Sequence, residues 1–286
     1  MLLVIGFIIV CGSVVLGLNL GGGSVLVLLH LSEFVVVLGI CLGILVIASP
    51  FAVLKNLMSK SMVALKGGAY NKAVYIEAMK MMYHIFMLAR KEGLMALEDH
   101  LSEPQNSEIF KNYPRFLKNA PAVDFFVDAM RPLVDGRIKP DQLPPVMKTQ
   151  LKAMKEESHQ PVNVLMLVGD SFPGVGICAA VLGIILTMGS VAEGPEVVGA
   201  KVAAALTGTF LGVFGAYGFI NPLAALIQVN NESEERYFHL IFEGIVGYTN
   251  GLAPQISVEL ARRSLLSTER PSSDDLEAEL KEVKLA

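Results

Sequence analysis

The sequence predicts an all-α membrane protein with four transmembrane helices. A large cytoplasmic helical insert lies between spans 2 and 3, and a cytoplasmic helix closes the C-terminus. Three observations carry that reading. Apolar residues make up 53 % of the 286 and charged residues 17 %, with a mean hydropathy of +0.54, whereas an ordinary soluble domain is about 25 % charged. Four stretches are almost free of charge and reach the roughly 20 residues a helix needs to cross about 30 Å of hydrocarbon. Neither a β-period alternation nor an internal repeat is present.

Met1–Leu20 holds no charge and is expected as the first span. It lacks a basic n-region and a second apolar run follows closely, so a retained helix is favoured over a cleaved leader. Phe34–Leu54 is the second uncharged stretch, closed by Lys55, so that residues 1–54 hold the first two spans. Pro161–Val191 is the third, interrupted only by Asp170. Val202–Asn231 is the fourth, between Lys201 and Glu232. The 21–33 loop, with Gly21, Gly22, Gly23, His30 and Glu33, has no Lys or Arg, and neither has 192–200. Lys55–Gln160 carries 16 basic residues. The bias of Lys and Arg toward the inner side puts that segment and both termini in the cytoplasm, and leaves 192–201 as a short periplasmic loop.

Residues 55–160 are long enough for a small helical domain. Val74, Ile76, Met79, Met82, Tyr83, Phe86 and Met87 recur at three- and four-residue spacing, which predicts a helix over Tyr70–Leu97. Ala122–Val134 and the amphipathic Pro145–Glu157, with Lys148, Lys152 and Lys155 near one face, are the next helices. Prolines 104, 114, 121, 132, 140, 144 and 145 break the rest into short pieces. In residues 232–286 a helical pattern runs to about Leu266, and Ser267–Ala286 reads as a loose charged tail.

The chemistry is bounded mainly by exclusion. A net charge of −4 offers no attraction to nucleic acid. No Gly-Xaa-Ser-Xaa-Gly, P-loop or HExxH supports an enzyme, and no cofactor or metal is expected. Gly21-Gly22-Gly23 is a turn. His84 is a packed histidine, and Asp124 and Asp128 form a solvated face. Cys11, Cys41 and Cys178 lie apart in apolar runs as small buried hydrophobes. Asp170, about nine residues into the third span, is costly in lipid and so must face a bundle interior or a wet cavity. Pro173 and Pro222 each remove a backbone donor and free a carbonyl in the cytoplasmic half of their spans. Two kinks at one depth are either static features or a hinge.

Val168-Gly169-Asp170-Ser171-Phe172-Pro173, Gly208-Thr209-Phe210-Leu211-Gly212 and Ala216-Tyr217-Gly218-Phe219-Ile220-Asn221-Pro222 resemble the MotA family of bacterial flagellar motor stator proteins. Leu97-Glu98, Ser107-Glu108-Ile109-Phe110, Tyr113-Pro114-Arg115 and Ala261–Pro271 extend the resemblance over essentially the whole chain. The wider superfamily includes the ExbB and TolQ energisers. The resemblance implies an inner-membrane subunit that forms a pentameric ring around a MotB dimer and converts ion flow into torque on the rotor protein FliG. It implies hinge prolines at Pro173 and Pro222 and rotor-facing charges at Arg90 and Glu98. It also implies an ion path at Thr209, with Tyr217 nearby. Sodium-driven relatives have threonine where this sequence has Ala180, which implies a proton. Arg90 and Glu98, eight residues apart, would share roughly one face of a continuous helix. Met147–Lys155 is more basic than in the enteric-type members. The alternatives are an ExbB/TolQ-type energiser acting on a periplasm-spanning partner, or a transporter using Asp170 alone, which would call for inverted repeats.

Overall fold

The structure is a computed structural model that describes residues 2–28 and 30–283. All regular structure among those residues is helical. The chain forms two compact units, one of Met1–Gly68 with Glu157–Asn230 and one of Ala69–Glu156 with Asn231–Ala286.

In the first unit, α1 (Leu2–Leu20) and α2 (Leu31–Ile47) are joined through the turn at Gly22, whose φ of +75° suits glycine. The next helix, α3 (Phe51–Lys66), leaves α2 at a bend of 119°. The stretch Phe34–Leu54 is therefore not the single span expected. Pro50 has no amide hydrogen and disfavours helical geometry at Ser49, so the helix stops at Ile47 and restarts beyond the proline. Among the described residues, three helices are long and apolar enough to cross a bilayer, or four if α2 and α3 count as one bent span.

In the second unit, α4 (Lys72–Glu92) starts on Asn71, whose side chain accepts from the amides of Ala73 and Val74. It ends at Gly93, with φ +93°. The predicted helix over Tyr70–Leu97 is thus cut short, and a 3-10 turn over Leu94–Leu97 replaces its end. Four helices follow: α5 (Glu98–Ser102), α6 (Glu108–Lys111), α7 (Pro114–Lys118) and α8 (Ala120–Val134). Next comes α9 (Leu143–Met188), which runs without a break through the predicted Pro145–Glu157 helix and the third span. Beyond it lie α10 (Pro195–Gly215), a π-helical turn at Ala216–Ile220 and α11 (Asn221–Thr249). Gly251, at φ +85°, then turns the chain into α12 (Pro254–Arg263).

The core of the second unit is aromatic and methionine-rich. Phe86 stacks on Tyr248 at 4.4 Å, and Phe126 meets Phe86, Phe110 and Phe116. Met79, Met81 and Met82 are fully buried. Each such side chain contributes about 1.5–3 kcal/mol by leaving water. His84 is packed as expected, with Nδ1 3.1 Å from the Tyr113 hydroxyl. Burial, and then His100, hold its pKa below the usual histidine value. Asp124 and Asp128 are exposed.

The tail is not loose. A helix, α13 (Ser273–Lys281), begins with a reciprocal cap between Ser272 and Asp275 and buries Leu276 and Leu280. Lys80 reaches Glu279 at 2.6 Å and Glu282 at 3.3 Å, and Lys72 reaches Asp275 at 3.1 Å. A count of charges overlooks that two leucines four apart make one apolar stripe. Residues 284–286 of that tail lie outside the described residues.

Candidate functional site

The site is built on the contact between α9 and α10, where small residues let two backbones meet. A methyl added at Gly212 would stand 2.6 Å from the Phe172 carbonyl oxygen and 2.8 Å from Gly176 Cα. One at Gly176 would stand 2.9 Å from the Gly208 carbonyl, and one at Gly183 would stand 2.7 Å from Ala205 Cβ. Only glycine fits such approaches, the pattern by which membrane helices pack closely. Thr187 and Thr207 bond back to their own helices through the carbonyls of Gly183 and Ala203.

Pro173 lies inside α9 and Pro222 is the second residue of α11. In a regular helix the proline at position i leaves the carbonyl of i−4 unpaired. Here those carbonyls belong to Gly169 and Gly218, and both positions are tight. A methyl at Gly169 would fall 3.1 Å from Ile220 Cγ2 and would overlap the Asn221 amide. A methyl at Gly215 would meet the Phe172 ring at 2.7 Å. The segment before Pro173 is therefore seated against the segment around Pro222. Ahead of Pro222 the helix widens into the π turn, where the Asn221 amide bonds the Ala216 carbonyl five residues back. Such turns often mark functional sites. Phe219 holds this turn against α1 through Phe7 at 4.9 Å.

The other expected residues are placed as follows. Ala180 is buried, its amide nitrogen 3.4 Å from where a Gly208 methyl would sit, and Thr209 follows Gly208 and is half-buried. Ala180 and Thr209 thus flank one stretch of the seam. Tyr217, in the π turn, is 66 % exposed in this chain, and Asp170 lies on the exposed side of α9. Cys41 is buried, whereas Cys11 and Cys178 are exposed, against expectation. They sit on outward apolar faces that one chain has no second layer to cover.

Arg90, in the last turn of α4, and Glu98, which opens α5, are both exposed. Gly93 and the 3-10 turn separate them, so they do not share one face of a continuous helix. Glu98 instead borders an open cleft with Leu101, Ser102, Arg131, Val134 and Asp135, in which Arg131 Nη2 donates to the Leu101 carbonyl at 2.6 Å. Lys155 pairs with Glu235 at 3.0 Å, and Lys148 lies 6.0 Å over the Phe242 ring, so part of the basic Met147–Lys155 face serves packing. Among the described residues no cluster of His, Cys, Asp or Glu could hold a metal ion.

Sequence reasoning misses Glu33. It reads as a loop acid, but it lies in the first turn of α2 and is only 6 % exposed. Its Oε2 abuts Gly208, 2.7 Å from where a methyl would sit. A signal exists in the spacing: Glu33, Val37 and Cys41 are four apart and form the buried stripe of α2.

Comparison with known proteins agrees with this architecture. Residues 4–93 match the Motility protein A N-terminal family and residues 117–239 the MotA/TolQ/ExbB proton channel family. The chain is 33 % identical to Motility protein A of Escherichia coli (strain K12) over 284 residues, covering 99 % of this chain and 96 % of that protein. It is 28 % identical to Chemotaxis protein LafT of Vibrio parahaemolyticus, over 91 % of this chain and 92 % of that protein. The MotAB structure from C. jejuni superposes with a TM-score of 0.78 at 24 % identity, covering 95 % of this chain and 98 % of that one, which supports the fold. The glycine seam, the two seated prolines and a 33 % identity along the full length converge: the chain belongs to the MotA/TolQ/ExbB proton channel family, among the motility protein A relatives.

Proposed function

We propose that the chain is the ion-conducting stator subunit of a flagellar motor. With MotB it couples proton flow across the inner membrane to torque on the rotor protein FliG. The observation that carries this reading is the full-length identity to Motility protein A. The seating of the Pro173 segment against the Pro222 segment supports it.

In this reading four segments span the membrane, with α2 as the second and α3 bent away from it. Residues 55–160 and both termini are cytoplasmic, and 192–201 is periplasmic. α3 lies at the interface, with Phe51, Met58 and Met62 exposed on one side and Lys55 and Lys66 reaching for head groups. The outward apolar faces of α1 and α9, with Ile8, Ile9, Ile177 and Ile185 exposed, are covered by lipid and by neighbouring copies in a pentameric ring around the MotB dimer.

The ion path follows Ala180 and Thr209. A hard cation needs several oxygen ligands. Ala180 offers none from its side chain and Thr209 offers one per subunit, whereas protons can hop along a thin file of water. Residues 171–192, in α9 and the start of the loop after it, hold no acidic or basic side chain to relay the ion across the membrane, so conduction needs the partner. Pro173 and Pro222 form the hinge. α9 and α11, which carry them, also continue into the charged half of the chain, where Arg90 and Glu98 meet the rotor.

The test is motility of a stator-deleted strain given this chain with and without its own one-span, peptidoglycan-binding partner. Swimming is expected only with the partner. Swimming without any such partner, or none with it despite normal membrane amounts, would refute the reading.

A further inference from the structure

We propose that Glu33 is a proton-holding station on the ion path, placed where the path meets the α9–α10 seam near the α1–α2 turn. The inference rests on the conducting role proposed above and adds a named carboxyl of this chain to it.

Three observations converge on this side chain. Glu33 is more than nine-tenths buried. Among the described residues its Oε2 has no hydrogen-bond partner. That oxygen is aimed into the small-residue seam, against Gly208, where Ala179 Cβ and the Ala180 amide also converge at 3.0 and 3.4 Å from the point a Gly208 methyl would occupy. Gly208 thus keeps open the space the carboxylate fills, between the two positions assigned to the path, Ala180 and Thr209.

A buried carboxylate needs a compensating charge or hydrogen bonds. No basic group among the described residues pairs with its Oε2. Residues 2–28, 171–192 and 202–215 contain no Asp, Glu, Lys, Arg or His. On α10, Lys201 comes seven residues before Gly208 and is bound to Ser190 and Glu193, and Glu196 precedes it. On α9 the charged residues and His159 end at Asp170, leaving Cys178 as the titratable group beyond it, while α2 adds Cys41 and His30 precedes it. The compensation is therefore the conducted ion. Oε2 takes a proton from protonated water on the outer side, where an O–H bond of that water breaks as the carboxyl O–H bond forms. The carboxyl O–H bond then breaks when the proton passes to the next water along the seam, which becomes the protonated water. Glu33 lies in the first turn of α2, which puts the station at one end of the path.

The experiment uses this chain with its partner in the stator-deleted strain, as wild type, E33Q and E33D. Swimming speed and the amount of stator in the membrane are measured together. The purified complexes are compared by infrared spectroscopy of the protonated carboxyl stretch as buffer pH is stepped. E33Q is expected to swim at least fivefold slower at unchanged membrane amount, and E33D faster than E33Q. A pH-dependent carboxyl band of the wild type should be missing from E33Q. Wild-type speed in E33Q, equal loss in E33D and E33Q, or a band unchanged by E33Q would each overturn the proposal. Equal loss with depletion from the membrane would make Glu33 a packing residue. If the wild type restores no swimming at all, the stator reading fails, while the infrared band still decides whether Glu33 holds a proton.

Discussion

At the scale of single residues, the glycines between α9 and α10 set how closely the two helices approach. Gly212→Ala would push a methyl to 2.6 Å from the Phe172 carbonyl, a backbone atom that cannot rotate away. Overpacking of this kind costs about 1–3 kcal/mol. Gly174→Ala, whose methyl meets nothing within 4 Å in this chain, is the contrast. Thermal unfolding of the detergent-purified complex should show a lower midpoint for Gly212→Ala and little change for Gly174→Ala; equal midpoints would mean that the seam is not tight. The prolines act differently. Replacing Pro173 or Pro222 by Ala restores an amide donor to the carbonyl of Gly169 or Gly218 and stiffens the helix. Both variants should insert and bind the partner yet lose swimming. If both swim at the wild-type rate, neither proline is a hinge.

At the scale of elements, the ends of α4 and α5 present Arg90 and Glu98 across Gly93 rather than along one helix. Both are exposed, so in the proposed rotor contact each would contribute about 0–1 kcal/mol, screened within about 8 Å. Single neutral substitutions should reduce swimming only partly. Arg90→Glu and Glu98→Lys should reduce it more, because repulsion is added to lost attraction. A reversed charge on the rotor should restore part of it. Loss of membrane protein without rotor rescue would instead make these residues internal supports. On α12, Glu259 accepts from Arg262 at 2.7 Å and from Arg263 at 2.8 Å. The Arg262 bond, ahead of the opposing burial and the Arg263 bond, lowers its pKa from 4.5 to about 2. The group is depressed in the fold, so the stability it adds is present above 4.5 and lost as pH falls toward about 2. Glu259→Gln should therefore unfold more easily than wild type at neutral pH, and the gap should close across that window. A gap that persists at the acid end would show that the pair contributes through packing instead.

Apolar runs and proline positions by themselves mark most helices of this chain. What they leave out has physical reasons. Pro50 sits inside an uncharged run, and hydropathy averages over it, so the 119° bend passes for a straight span. Leu276 and Leu280 are too few to outweigh the charges around them, although they dock α13. The charge of Glu33 points to water, while its spacing with Val37 and Cys41 puts it inside. Of the proposed site, Pro173 and Pro222 stand out in the sequence as prolines inside apolar spans, but the choice of a hinge over a static kink, and any role for Thr209 and Ala180, come only through resemblance, because a kink or a missing hydroxyl carries no ion by itself.

At the scale of the whole molecule, the central claim is that this chain and its partner drive rotation with protons. Ala180 leaves Thr209 as one side-chain oxygen where a sodium ion would need a cage. The most direct measurement is the rotation speed of tethered stator-deleted cells carrying the chain and its partner, as the proton gradient and external sodium are varied separately. Speed should fall to zero when the proton gradient is collapsed and stay unchanged when sodium is removed. Rotation that stops in sodium-free medium at constant proton-motive force, or that continues without a proton gradient, would contradict the claim.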